Sequence, residues 1–151
     1  MEVRKEGRSS KGDSGMGPGE TWELLFRLFG LMRVHFDDVC GEFGLSSAQG
    51  RALLELEPGC PRAMRRLAER LGNDASNVTG IADRLEDRGL VERRPSDDDR
   101  RVKALAVTEE GEALRERFIA RLKEAPSPIT GLASEDRRTL RDILRRVVGE
   151  G

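Results

Sequence analysis

The chain has no tyrosine, one histidine and two cysteines in 151 residues. With so few nucleophilic and proton-carrying side chains, no grouping of nucleophile, base and orienting residue stands out, and no enzyme is expected. The histidine and cysteines show no metal-ligand spacing, so neither a metal nor a cofactor is expected. His35 and Cys40 are five positions apart on an expected helix and do not share a face. No apolar run approaches the ~20 residues of a membrane span, and the N-terminus lacks a hydrophobic signal region. A cytoplasmic chain with no membrane partner is therefore expected, with Cys40 and Cys60 as reduced thiols. A large net charge is missing as well. The 27 Lys and Arg stand against 28 Asp and Glu, a net −1 that by itself announces no nucleic-acid partner.

What the chain does have is an ordinary apolar content, about 47% once its 17 glycines are counted, and the length of a single domain. Residues 1–19 are rich in glycine, poor in large apolar groups and balanced in charge, and read as a flexible tail. A first helix is expected over 20–43. Its apolar residues, among them Leu25, Phe26, Phe29, Met32, Phe36 and Phe43, cover more than one face, which requires burial on more than one side. Ser46 or Ser47 can cap a second helix to about Leu56, and Pro58-Gly59-Cys60-Pro61 then forces a turn. Near the C-terminus, Thr108 can cap a helix to about Glu124, with Leu114, Phe118 and Leu122 at four-residue spacing. Pro126 and Pro128 stop it. Ser134 can cap a last helix in which Leu140, Ile143, Leu144, Val147 and Val148 form one apolar stripe.

The rest of the chain is arranged around Gly72 to Val107. Arg62–Leu71 reads as a short helix with Met64, Leu67, Ala68 and Leu71 inward and Arg62, Arg65, Arg66 and Arg70 outward. Gly72-Asn73 breaks it, and Asp74 can cap the next helix. In that helix Ala75, Val78, Ile81, Ala82 and Leu85 share one face. Ser76 and Gly80 lie opposite, Asn77 and Arg84 on one flank and Thr79 on the other. The outer face near the N-terminus is thus small, polar and uncharged, suited to close approach and to bonds with phosphates or base edges. Taken alone it could equally be an ordinary surface helix. Two β-capable runs, Leu90–Arg94 and Arg101–Val107, flank a turn at Pro95–Arg100. Helix, turn, helix and basic hairpin make a winged helix-turn-helix, so the expected fold is mainly α with a small β-hairpin wing. Arg62 to Lys103 holds eleven Lys and Arg against nine acids, which predicts a narrow basic stripe.

These residues carry a resemblance. The run Leu67-Ala68-Glu69-Arg70-Leu71, then Ser76-Asn77-Val78-Thr79, Asp83-Arg84-Leu85-Glu86-Asp87-Arg88-Gly89-Leu90-Val91-Glu92-Arg93, Asp99-Arg100-Arg101 and Val107-Thr108-Glu109-Glu110-Gly111 resembles the MarR (multiple antibiotic resistance regulator) family. The likeness extends from about Trp22 to Val148. It implies that the helix holding Ser76, Asn77 and Thr79 enters the major groove of double-stranded DNA, and that Arg101 reaches the minor groove from the wing, held by Asp99. To these we add Arg84 as a further major-groove contact and Arg100 as a further wing contact. Two positions depart from the pattern. Gly80 stands where many members carry an arginine, and Gly50 where a large aromatic is common.

The resemblance also implies a homodimer through the N- and C-terminal helices, 20–43 and 108–148, carrying a DNA-binding core at 46–107 within a 20–151 domain. The two apolar helices point the same way, because a small winged-helix core covers only part of them. A two-fold dimer reads a near-palindromic operator with half-sites about one helical turn apart. The expected function is a ligand-released repressor. Members of the family bind small phenolic or lipophilic anions in a cleft that Trp22, His35, Gly50 and Arg51 could border here, Gly50 enlarging it and Arg51 or His35 pairing with a carboxylate. Two alternatives stay open at this point: a winged helix that binds protein instead of DNA, and a redox sensor using Cys40 or Cys60.

Overall fold

The computed structural model describes residues 17–95 and 103–150. The chain divides into two units, Met1–Val34 and His35–Gly151, with the division falling inside the first helix. That helix, α1, runs Pro18–Glu42. In the first unit Trp22 and Phe26 meet edge to face at 5.3 Å, one helical turn apart. Trp22, Phe26 and Phe29 are 60%, 61% and 62% exposed, far more than large aromatics tolerate at a surface that stays wet.

The second unit holds the core. Ser46 caps α2 (Ser47–Glu55) by a reciprocal box: its hydroxyl accepts from the Gln49 amide, while its own amide donates to Gln49 Oε1 at 2.7 Å. The strand β1 (Arg62–Ala63) leads into α3 (Met64–Leu71), which Gly72 ends at φ +63°. After α4 (Ala75–Asp87) come β2 (Val91–Pro95) and β3 (Lys103–Val107). Thr108 caps α5 (Glu109–Leu122), its hydroxyl accepting from the Gly111 amide at 3.1 Å. A single turn, α6 (Ser127–Thr130), precedes α7 (Ser134–Val148).

The three strands form one antiparallel sheet in the order β1-β3-β2, with Arg62 opposite Leu105 and Val91 opposite Val107. The central strand β3 is buried from Ala104 to Val107, as a strand covered on both edges should be. Val39, Leu53, Leu56, Leu67, Val78, Leu85, Leu90, Leu105 and Phe118 make one contiguous core, to which α7 contributes no residue.

Several expectations need correction. Arg62 and Ala63 are strand, not the start of a helix, because their backbone completes the open edge of β3. Ala75 is exposed: as the first residue of α4 it precedes the turn that meets the core. The fifth helix ends at Leu122 and not Glu124. Ala133, not Ser134, occupies the cap position of α7 and provides no side-chain bond. The α7 stripe, by contrast, is left uncovered within the single chain as expected: Ile143, Val147 and Val148 are exposed, and Leu140 and Leu144 are only half-buried.

Candidate nucleic-acid interface

The interface is built around α4, and its position is set by its inner face. Val78, Ile81, Ala82 and Leu85 are all buried and recur at helical spacing, so the helix can rotate little about its axis. That rotation leaves Ser76, Asn77 and Thr79 outside. Asp74 starts the helix. Its carboxylate accepts from the Asn77 amide at 2.8 Å and from the Ser76 hydroxyl at 2.7 Å, and these bonds hold its pKa below the usual aspartate value. Thr79 donates its hydroxyl to Ala75 O at 2.9 Å, one turn back. The protons of Ser76 and Thr79 are therefore spent within the helix. The Asn77 side-chain amide has no hydrogen-bond partner among the described residues, and it stands ready for an external one.

Gly80 lies one turn further along, and a Cβ built there meets nothing within 4 Å. Its lack of a side chain thins the surface without serving any internal contact. Arg84 is exposed one turn beyond it. Asp99, Arg100 and Arg101 lie outside the described residues.

Between α3, α4 and the sheet runs a cleft of about 940 Å³, bordered by Arg65, Asn73, Thr79, Asp83, Arg93 and Lys103. Its floor is braced by one residue. Arg93 on β2 forks to Asp83 and Glu86, which sit one turn apart on the same flank of α4, and its backbone amide donates to Glu86 Oε1 at 3.1 Å. Asp83 in particular holds the Arg93 proton more tightly than usual. The wing base is thereby pinned to the helix it flanks.

This changes the expected basic stripe. Arg93 is spent on Asp83 and Glu86, Arg94 on Glu92, Arg70 on Glu55 and Arg65 on Glu69. Arg88 turns inward to backbone carbonyls, donating to Gly44 O at 2.7 Å and Phe43 O at 3.1 Å. Arg115 does the same at the end of α2, reaching Leu53 O and Leu54 O. By sequence alone the first five of these arginines count as stripe charges, and Arg115 has no assigned role. The signals were present: an Asp-x-x-Glu pair on one helix flank, and an arginine beside the glycine that ends a helix.

Of the residues expected to border an effector cleft, Gly50, His35 and Arg51 lie in the second unit, and neither Gly50 nor His35 borders the cleft beside Arg51. Gly50 is buried, and a Cβ there would lie 2.5 Å from Cys40 Sγ, 3.2 Å from Phe118 and 3.3 Å from Phe36. The space beside it is filled by those side chains, so Gly50 serves close packing and does not enlarge a cavity. His35 is half-buried, with Nε2 enclosed and unpartnered among the described residues. Arg51 is exposed at a cleft of about 340 Å³ with Phe36, Leu54, Glu55, Arg70 and Leu71. Trp22 belongs to the other unit. As for the thiols, Cys40 is buried, and burial with the nearby Asp37 charge pushes its pKa up to about 11, the opposite of a reactive thiol. Cys60 is exposed.

Comparison with known proteins agrees with this arrangement. The MarR family model matches residues 43–102, the span from the end of α1 into the wing. The transcriptional repressor MprA of Escherichia coli is 57% identical over 47 residues, covering 30% of this chain and 27% of that protein; the match thus spans about a quarter of the repressor's length. A solved transcriptional regulator of Thermotoga maritima is 30% identical with a TM-score of 0.71, covering 87% of this chain and 93% of its own. CouR of Rhodococcus jostii, solved bound to p-coumaroyl-CoA, is also 30% identical, with a TM-score of 0.62 and coverage of 89% and 94%. Shared sequence and shared fold over nearly the whole length lead to one assignment: the chain belongs to the MarR family of transcriptional regulators.

Proposed function

We propose that the chain is a cytoplasmic repressor that binds double-stranded DNA as a homodimer and is released from a near-palindromic operator by a small phenolic or lipophilic anion. The observation that carries the DNA reading is the outer face of α4. It is uncharged, capped by Asp74, and offers the unpartnered Asn77 amide beside Ser76 and Thr79. Asparagine is the natural bidentate partner of an adenine edge. Gly80 lets the backbone come close, Arg84 follows for a phosphate or guanine, and Arg100 and Arg101, held by Asp99, supply the wing contacts. Support for the dimer comes from the exposed apolar side chains of α1 and α7, which a monomer would leave wet. The domain, expected over 20–151, is read as starting with α1 at Pro18, with α1 and the helices of 108–148 as dimerisation helices around the core 46–107. Support for the effector is the phenolic acyl thioester held by the related CouR. The residues read as meeting the anion are Arg51 and His35, with Trp22 as an apolar neighbour in a dimer.

Selection of bound sequences from a random duplex pool tests this reading. An inverted repeat with half-sites about one helical turn apart is the expected result. Asn77→Ala should then lower discrimination between selected and scrambled duplexes by about 1–3 kcal/mol. Recovery of no common sequence, or binding insensitive to salt, would reject DNA reading.

A further inference from the structure

The corner where α1 ends is gripped from two sides. Phe43 O and Gly44 O are orphan carbonyls beyond the helix terminus, and Gly44, at φ +64°, turns the chain toward α2. Both carbonyls accept from the guanidinium of Arg88, at 3.1 and 2.7 Å. Arg88 is the residue that closes α4. A planar fork with two bonds sets direction as well as distance. On the other side Arg121 of α5 holds Glu42 through two further bonds, Nε to Oε2 at 2.9 Å and a terminal nitrogen to Oε1 at 2.7 Å. Since α5 leaves the wing directly at Thr108, whose hydroxyl donates to Gly89 O at 2.6 Å, the wing and α4 are both joined to these three residues.

We infer that Glu42-Phe43-Gly44 is a joint and that Arg88 is a positioning residue: by fixing the tilt of α4 against the end of α1, it sets the half-site spacing that the dimer accepts. This rests on the homodimer reading above. The reasoning is one of leverage. Asn77 stands eleven residues before Arg88, about 16 Å along the helix at 1.5 Å per residue. A tilt of about 10° at the Arg88 end swings Asn77 by about 3 Å, close to the ~3.4 Å rise of one base step. The buried inner face of α4 and the Arg93 fork to Asp83 and Glu86 seat the helix against the core and the wing, and the Arg88 fork adds a directional restraint at its C-terminal end. The bonds are exposed, so they contribute little to overall stability. Their effect falls on geometry, and in a two-fold dimer any error of tilt is made twice.

The test uses the full chain and the inverted repeat selected by the wild type. Affinities are measured on duplexes with the selected spacer, with one base pair added or removed, and on a single half-site. Wild type is expected to lose about tenfold or more when the spacer changes. Arg88→Ala should lose only about threefold, with half-site affinity within about twofold of wild type. Arg88→Lys keeps the charge but not the fork, and should behave like the alanine variant. If Arg88→Ala keeps the wild-type spacer penalty, the inference is overturned. It is overturned too if half-site affinity falls as far as full-site affinity, or if Arg88→Lys restores it, because Arg88 would then be a phosphate contact. Should Arg88→Ala unfold, Glu42→Gln weakens the same joint from the α5 side; a smaller spacer penalty supports the inference and an unchanged one refutes it. A wild type that selects no inverted repeat refutes the dimer reading first, and this inference with it.

Discussion

Replacing Gly50 by alanine sets two effects of known sign against each other. Gly50 lies in the middle of α2, where alanine is favoured over glycine by about 1 kcal/mol. Against that stands the new Cβ, 2.5 Å from Cys40 Sγ, where ordinary contact is about 3.5–4.0 Å. Roughly 1 Å must be found among Cys40, Phe36 and Phe118, and Cys40 and Phe118 are fully buried. Overpacking of this kind costs about 1–3 kcal/mol, so after the helix gain Gly50→Ala should destabilise by up to about 2 kcal/mol net. For a chain of this length that is a drop in Tm of up to roughly 8 °C. Cys40→Ala removes the obstructing sulfur and leaves the two rings at 3.2 and 3.3 Å, close enough to need only small adjustments. In that background Gly50→Ala should be neutral or stabilising, a coupling of about 1–3 kcal/mol. The assay is thermal unfolding of the four proteins by circular dichroism at one fixed concentration, since a dimer's Tm depends on it. An alanine that costs the same with and without the Cys40 sulfur would refute the packing argument. A variant of unaltered stability but weakened effector binding would restore Gly50 to a ligand cavity.

Further outcomes can be checked the same way. Gly111→Ala should destabilise by more than about 3 kcal/mol in urea unfolding, because its Cβ would lie 1.9 Å from the Leu90 carbonyl oxygen, a backbone atom held by Thr108. Wild-type stability in that variant would mean α5 sits elsewhere. In the native protein a thiol reagent near neutral pH should modify Cys60 and spare Cys40, whose buried thiol is pushed up to about 11; two fast equivalents would contradict this. The Asp74 cap carries a pH dependence of defined sign. Its folded pKa is depressed, so its contribution is complete above the unfolded value near 4 and is lost as pH falls through the folded value. Amide exchange at Asn77 should therefore speed up on acidification below about pH 4 in wild type and not in Asp74→Ala, corrected for the intrinsic rate.

Local rules were legible wherever one residue acts on its own neighbourhood. The caps at Ser46, Asp74 and Thr108, the stop at Gly72, and the buried set Val78, Ile81, Ala82 and Leu85 follow from spacing and side-chain chemistry alone. So does the small, polar outer face around Asn77, since a helix buried on one side must present the other. The resemblance to a regulator family rests on residues of this kind, read in order along the chain.

What only the tertiary structure decided concerns partners distant in sequence. Whether an arginine is a free cation or an internal brace depends on what lies 44 or 62 positions away, as for Arg88 with Gly44 and Arg115 with Leu53. Whether Gly50 marks a hole or a tight fit depends on Cys40 and Phe118 arriving beside it. Arg62 and Ala63 became strand because β3 offered an unpaired edge, a demand no local propensity records. The sequence by itself determined the period, the caps and the chemistry of each surface. The fold alone determined which of those charges and gaps were already occupied, because occupancy is a matter of distance in space and not of order along the chain.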